Sequence, residues 1–185
     1  TPPYVVALAY PNLCLFEFGI AAELFGLLRP ELDLPWYRFG VAMTARKVHS
    51  GIGGLRVAAD GGLELLRKAH TIVVPGWSGP AVLPGAALKA ALCAAHARGA
   101  RLLSICSGAF LLGHCGLLDG RRATTHWRYA QQFRDCFPAS TLVGDALYVE
   151  DGRIVTSAGS AAGIDAGLHL IRSDFGTAVA NRVAQ

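Results

Sequence analysis

Short apolar runs punctuate this chain, and the longer stretches between them repeat apolar residues at helical spacing. Val5-Val-Ala-Leu-Ala9, Thr71-Ile-Val-Val74 and Leu102-Leu-Ser-Ile105 lack the polar alternation of a half-wet strand. They predict strands covered on both faces. Residues 37–42 make a further strand candidate. Residues 16–28 read as a helix stopped by Pro30, and residues 63–69 as a short helix. Residues 86–98 are alanine-rich and predict a helix closed by Gly99. Residues 48–59 are broken by glycine and predict a small hairpin or excursion.

The texture changes after residue 105. Residues 122–125 read as a short extended piece ahead of His126, and residues 127–136 as a helix. Residues 146–150 and 153–157 predict a hairpin, because Asp151-Gly152 suits a two-residue type I′ turn. Ser160 is expected to cap a helix over 161–172, and Asp174 to cap a last one. Strands alternating with helices predict one domain over 1–185, with a mainly parallel sheet and helices on both faces. Ligands in such folds bind beyond the C-terminal strand ends. Here those ends are Ala9-Tyr10-Pro11, Val74-Pro75-Gly76 and Ile105-Cys106.

Composition narrows the class. Apolar residues make up 52% of the 185 positions and charged residues 16%, which excludes a disordered chain and allows one sizeable core. No apolar run approaches the ~18 residues of a membrane span. No basic-then-apolar leader opens the sequence, so a cytoplasmic protein is expected, and Thr1 in place of Met suggests a trimmed piece. The net charge is +4, but the arginines are scattered and form no basic helix, so no nucleic-acid surface is expected. The five cysteines are odd in number and include no CxxC. Reduced thiols fit that pattern better than disulfides, and zinc-site spacing is absent, so neither metal nor cofactor is expected.

Arg101-Leu-Leu-Ser-Ile-Cys106-Ser-Gly108 carries the most chemistry. A buried strand stops at a cysteine and turns at once into a helix, with small residues two before (Ser104) and two after (Gly108). That is the spacing of a nucleophile elbow. At a helix N-terminus the thiol is expected to ionise more easily than a free one. The alternative is a packing cysteine at an ordinary junction.

A nucleophile needs a proton partner and a place for an oxyanion. His126, twenty residues downstream, is the candidate partner. His49, His70, His96, His114 and His169 read as surface or packing residues. Glu17, among phenylalanines, is either a solvent-facing helix acid or a buried acid that tunes the thiol. The backbone N–H groups of Ser107 and Gly76 are the expected oxyanion donors. Trp77 and Trp127 are expected to wall the pocket. Neither Gly51-Ile-Gly-Gly54 nor Gly159-Ser-Ala-Ala-Gly163 has the form of a phosphate cradle.

Together these residues resemble the ThiJ/PfpI family of the class I glutamine amidotransferase-like superfamily. The resemblance rests on Glu17, Pro75-Gly76, Ile105-Cys-Ser-Gly108, Thr124-Thr-His-Trp127 and Thr156-Ser-Ala-Gly-Ser-Ala-Ala-Gly-Ile-Asp165. The last is similar to one branch, the N-terminal sensor domains of AraC-family (GlxA-like) transcriptional regulators. The resemblance implies a flavodoxin-like three-layer sandwich, usually dimeric, with Glu17, Cys106 and His126 in one pocket. It implies an effector-sensing domain for a small metabolite. DNA would be bound only through a helix-turn-helix domain beyond residue 185. A cysteine-dependent amidase, hydratase or glyoxalase-like enzyme is the alternative, and a redox switch at Cys106 a third reading. Asp165 is expected to serve a helix terminus. Isocyanide hydratases of the family look to carry an aspartate where Glu17 stands, which weakens direct transfer of their chemistry.

Overall fold

The computed structural model describes residues 1–45 and 49–185. Its strands are β1 (Tyr4–Ala9), β2 (Arg38–Met43), β3 (His49–Ser50), β4 (Arg56–Val57), β5 (Thr71–Val74), β6 (Arg101–Ile105), β7 (Arg122–Ala123), β8 (Thr141–Leu142), β9 (Tyr148–Asp151) and β10 (Ile154–Ser157). Its α-helices are α1 (Leu15–Ala21), α2 (Ala86–Arg98), α3 (Gly108–His114), α4 (Ala130–Cys136), α5 (Ala162–Phe175) and α6 (Thr177–Ala184). Six strands form the central sheet in the order β2-β1-β5-β6-β10-β9. All neighbours in it are parallel except β9, which runs antiparallel to β10. The excursion expected over 48–59 contains the antiparallel pair β3–β4; Val48, its first residue, lies outside the described residues.

Strand side chains alternate between the two faces of a sheet. On β1, Val6 and Leu8 pack with Leu92 of α2, Phe110 of α3 and Phe133 of α4. Val5 and Ala7 pack on the other face with Leu170 and Ile171 of α5. Both faces are therefore dry, as the unbroken apolar strands require. Each large side chain fully buried there contributes about 1.5–3 kcal/mol. A glycine on α5 lets the turn that follows α1 approach: a Cβ on Gly167 would lie 2.3 Å from Leu24 Cδ1. Among the described residues no helix is long and apolar enough to cross a membrane.

Several local expectations are corrected. The helix over 16–28 is shorter as an α-helix; α1 passes into a π-turn over Ala22–Gly26, closed by Leu27 N–H on the Ala22 carbonyl at 3.1 Å. Leu27 is already extended, so the helix ends before Pro30, which opens a 3₁₀ turn instead. Residues Leu63–Lys68 are also 3₁₀, as is the first turn, Trp127–Tyr129, of the helix expected over 127–136. The β9–β10 register pairs Asp151 with Ile154, so the turn is Gly152-Arg153. Only Gly152 has positive φ (+60°), the signature of a type II′ turn rather than I′. Ser160 does not cap α5. Its own φ is +52°, and the cap position is Ala161, without a side-chain bond. Asp174 caps nothing either. It lies inside α5 and binds Arg101 at 2.6 Å and the Tyr37 hydroxyl at 2.5 Å, tying the far end of α5 to the start of β6.

Candidate functional site

β6, an interior strand, delivers Cys106 to the C-terminal end of the sheet with φ +57°, and Ser107 returns to the right-handed region before α3 begins. A β-carbon in the left-handed region costs roughly 1–2 kcal/mol, so the surroundings must hold it there. They do so at both ends of the residue. Cys106 N–H donates to the Ser157 carbonyl at 3.2 Å, and the Thr125 hydroxyl donates to the Cys106 carbonyl at 2.8 Å. The turn is tight against β5: a Cβ on Gly108 would lie 2.3 Å from the Val74 carbonyl oxygen. Ser104 is fully buried beneath it. These are the two small positions the elbow spacing demanded.

The neighbouring strand end lies alongside. Trp77 N–H donates to the Ser107 hydroxyl at 3.0 Å, and Gly76 N–H donates to Glu17 Oε2 at 3.2 Å. Tyr10 donates its hydroxyl to the Pro75 carbonyl and meets the Trp77 ring edge-on. Glu17 comes from the first turn of α1 and is only 3% exposed, so it is the buried acid of the two alternatives. It lies beside two thiols, Cys106 and Cys14, on the same cavity.

This arrangement reverses the expectation for the thiol. Burial, then the Glu17 carboxylate beside it, push Cys106 up to about 12. The Ser107 N–H works in the opposite direction and loses. Burial and the adjacent Glu17 also raise Cys14. The helix terminus thus contributes less than desolvation and the adjacent acid.

The expected oxyanion pair is altered too. The Gly76 N–H is taken by Glu17. A Cβ on Gly76 would lie 2.7 Å from Glu17 Oε2, so the missing side chain there makes room for the acid.

His126 reaches the same cavity because its approach is anchored. Thr124 N–H donates to Thr156 Oγ1 at 2.9 Å, next to the Thr125–Cys106 bond. The imidazole packs against Gly159, where a Cβ would lie 2.1 Å from His126 Cδ2. Its Nδ1 accepts the Arg128 main-chain N–H at 3.1 Å. That bond leaves no proton on Nδ1 and places the neutral ring's proton on Nε2. Among the described residues no hydrogen bond joins His126 to Cys106.

Cys106, Glu17, His126, Gly76, Ser107 and Trp77 therefore line one cavity of about 270 Å³. Trp127 does not. It is 73% exposed and faces out, and Tyr129 takes the wall position expected of it. Cys14, Asn12, Arg128 and Ser160 also line the cavity and were not anticipated. Cys14 and Asn12 follow the end of β1, a position that the strand-end rule marks. Among the described residues, three of the four non-glycine residues with positive φ, Asn12, Cys106 and Ser160, lie on this cavity. Such strain gathers where a site must be held in one shape. Two larger hollows, of about 600 and 570 Å³, lie beside Leu66 and Ala94 and beside Met43 and Ala58. Among the described residues neither gathers a thiol or an imidazole. Among the described residues no three His, Cys, Asp or Glu side chains are arranged to hold a metal ion. Asp165 sits in the first turn of α5, where the helix dipole favours an acid.

A parallel sheet covered on both faces, with a strained cysteine at a strand end and a buried glutamate beside it, defines a distinct class of α/β domain. The chain belongs to the DJ-1/PfpI family, whose model matches residues 32–173. It is 36% identical over 132 residues to the HTH-type transcriptional regulator CdhR of Pseudomonas aeruginosa, covering 71% of this chain and 39% of that protein. It is 37% identical over 133 residues to an isonitrile hydratase of Pseudomonas putida, covering 70% of this chain and 56% of the enzyme. The chain thus spans well under two thirds of either relative. An AraC family transcriptional regulator from Pseudomonas putida has the same flavodoxin-like fold, with a TM-score of 0.86 at 20% identity over 99% of this chain and 98% of that one.

Proposed function

We propose that this domain senses a small metabolite in the Cys106 cavity, as the effector module of an AraC-type transcriptional regulator. One observation carries the choice of sensing over turnover: Glu17 faces the thiol and also occupies the Gly76 N–H. A nucleophile needs its proton removed and an oxyanion donor free. The acid beside Cys106 instead opposes ionisation of the thiol and holds the Gly76 donor, which favours recognition. The similarity to helix-turn-helix regulators supports the same reading. In the full-length protein, working as a homodimer, a ligand that favours one arrangement of the cavity shifts the population presented to DNA. Cys106, His126 and Glu17 serve as binding and shaping groups, and the thiol is a contact.

The test pairs thermal shift with alkylation. A metabolite that raises the melting temperature of this domain should also protect Cys106 from iodoacetamide, with exposed Cys136 as the internal control. Cys106→Ser should keep the binding within a few-fold. Binding without protection of Cys106, or turnover of the metabolite that vanishes in Cys106→Ser, overturns the reading.

A further inference from the structure

The cavity has an electrical direction. Glu17 lies at its buried end, turned toward Gly76 and the two thiols. Arg128 lies on its exposed rim, and no acid pairs with that guanidinium among the described residues. The Trp127 ring lies 5.9 Å from the guanidinium carbon, a contact that steadies the group without neutralising it.

A second observation points the same way. Because the Arg128 N–H occupies His126 Nδ1, the imidazole proton sits on Nε2. Nε2 has no partner among the described residues. His126 carries a ring N–H and Arg128, on the rim, a guanidinium fork, all of them donors. A guanidinium fork matches a carboxylate with two parallel hydrogen bonds.

We propose that this rim is an acid-recognition site, and that the ligand of the cavity is a small monocarboxylate whose acid group lies at Arg128 and His126. The assignment rests on the effector reading of the cavity and deepens it. Size and charge restrict the ligand further. The cavity, at about 270 Å³, falls below the ~300–1,000 Å³ range of drug-sized sites. A phosphate dianion would bring a second negative charge into so small a space with Glu17, whereas a carboxylate brings one. Asn12 and Ser160, both exposed on the same cavity, are placed to bond polar groups along the body of the ligand.

The experiment measures affinities by calorimetry for a series of small monocarboxylates, each paired with its primary amide, using the whole chain. Wild type, Arg128→Gln, Arg128→Lys and the surface control Arg134→Gln, an exposed arginine away from the cavity, are compared, with sodium sulfate at matched ionic strength as the inorganic probe. At least one acid should bind ten-fold or more tightly than its amide. Arg128→Gln should erase that preference, Arg128→Lys should keep part of it, and sulfate should not substitute for the acid. Amides that bind as well as acids, a preference that survives in Arg128→Gln, or no acid binding at all overturns the assignment. The two readings fail separately. A neutral metabolite that protects Cys106 leaves sensing intact and overturns the carboxylate. An acid that binds through Arg128 without protecting Cys106 supports the rim site and overturns the Cys106 cavity as the sensing pocket.

Discussion

Glu17 Oε2 and the Gly76 main-chain N–H, 59 positions apart in the chain, are joined by a hydrogen bond of 3.2 Å. It fixes the acid against the elbow and sets the character of Cys106. Replacing the carboxylate by an amide removes the like charge that a thiolate would face. Glu17→Gln should therefore lower the Cys106 thiol from about 12 toward the ordinary thiol range and speed its alkylation at neutral pH. The pH dependence of the alkylation rate measures this. An unchanged profile would show that burial alone sets the thiol.

Two desolvated thiols, half-buried Cys106 and buried Cys115, make stability fall in alkali. Cys106 and Cys115 are both raised from 9.0 to about 12, each chiefly by burial. Between those values the folded chain binds more protons than the unfolded chain. The contribution is complete below the unfolded value and is lost as pH rises through the folded one. Urea denaturation at about pH 8 and about pH 10.5 should show a loss in wild type that is smaller in Cys106→Ser and in Cys115→Ala. Equal losses in all three proteins would remove the thiols as the cause.

Thr125 stitches the His126 segment to the elbow through the Cys106 carbonyl. Thr125→Val keeps the shape and orphans that acceptor, at an expected loss of about 1–3 kcal/mol, while Thr125→Ser keeps the bond and should cost far less. Denaturant midpoints compare the two. A serine variant as unstable as the valine one would locate the effect in packing.

Gly159 is the seat of the His126 ring. Gly159→Ala forces the imidazole off its position, because the new Cβ would fall 2.1 Å from Cδ2. The expected cost is about 1–3 kcal/mol, with loss of the Arg128–Nδ1 bond. Imidazole nitrogen shifts by NMR report the ring directly. An unaltered spectrum would mean the backbone yields instead.

Ser104 carries a buried hydroxyl with no partner among the described residues. Ser104→Ala should be neutral or stabilising by about 1 kcal/mol, because an unmade hydrogen bond is removed without loss of packing. A melting temperature lowered by the change would indicate a bonded hydroxyl.

Much of this molecule is written in local pattern. Thr71–Val74 and Ala86–Arg98 have the bounds that apolar runs and alanine content predict, and Gly99 closes its helix with φ +106°. The elbow was legible because Ser104 and Gly108 obey a steric rule that acts within five residues. What stayed hidden depends on contacts across the fold. Nothing near Cys106 in sequence announces that Glu17 will outweigh the helix terminus. Nor does Trp127 reveal that it will turn outward while Tyr129, two residues on, turns in. Ser160 has the right chemistry for a cap, yet the approach of Gly159 to His126 and the left-handed turn that follows place it on the cavity instead.

Position 106 is the one place in the elbow where a residue without a side chain would sit most comfortably. Cys106→Gly should relax the bend and recover part of the roughly 1–2 kcal/mol that a β-carbon costs at φ +57°. The protein thus keeps its sulfur against the pull of its own backbone. Sturdiness and the thiol stand in opposition there, and a version of this domain improved only for heat resistance would be expected to discard the sulfur first.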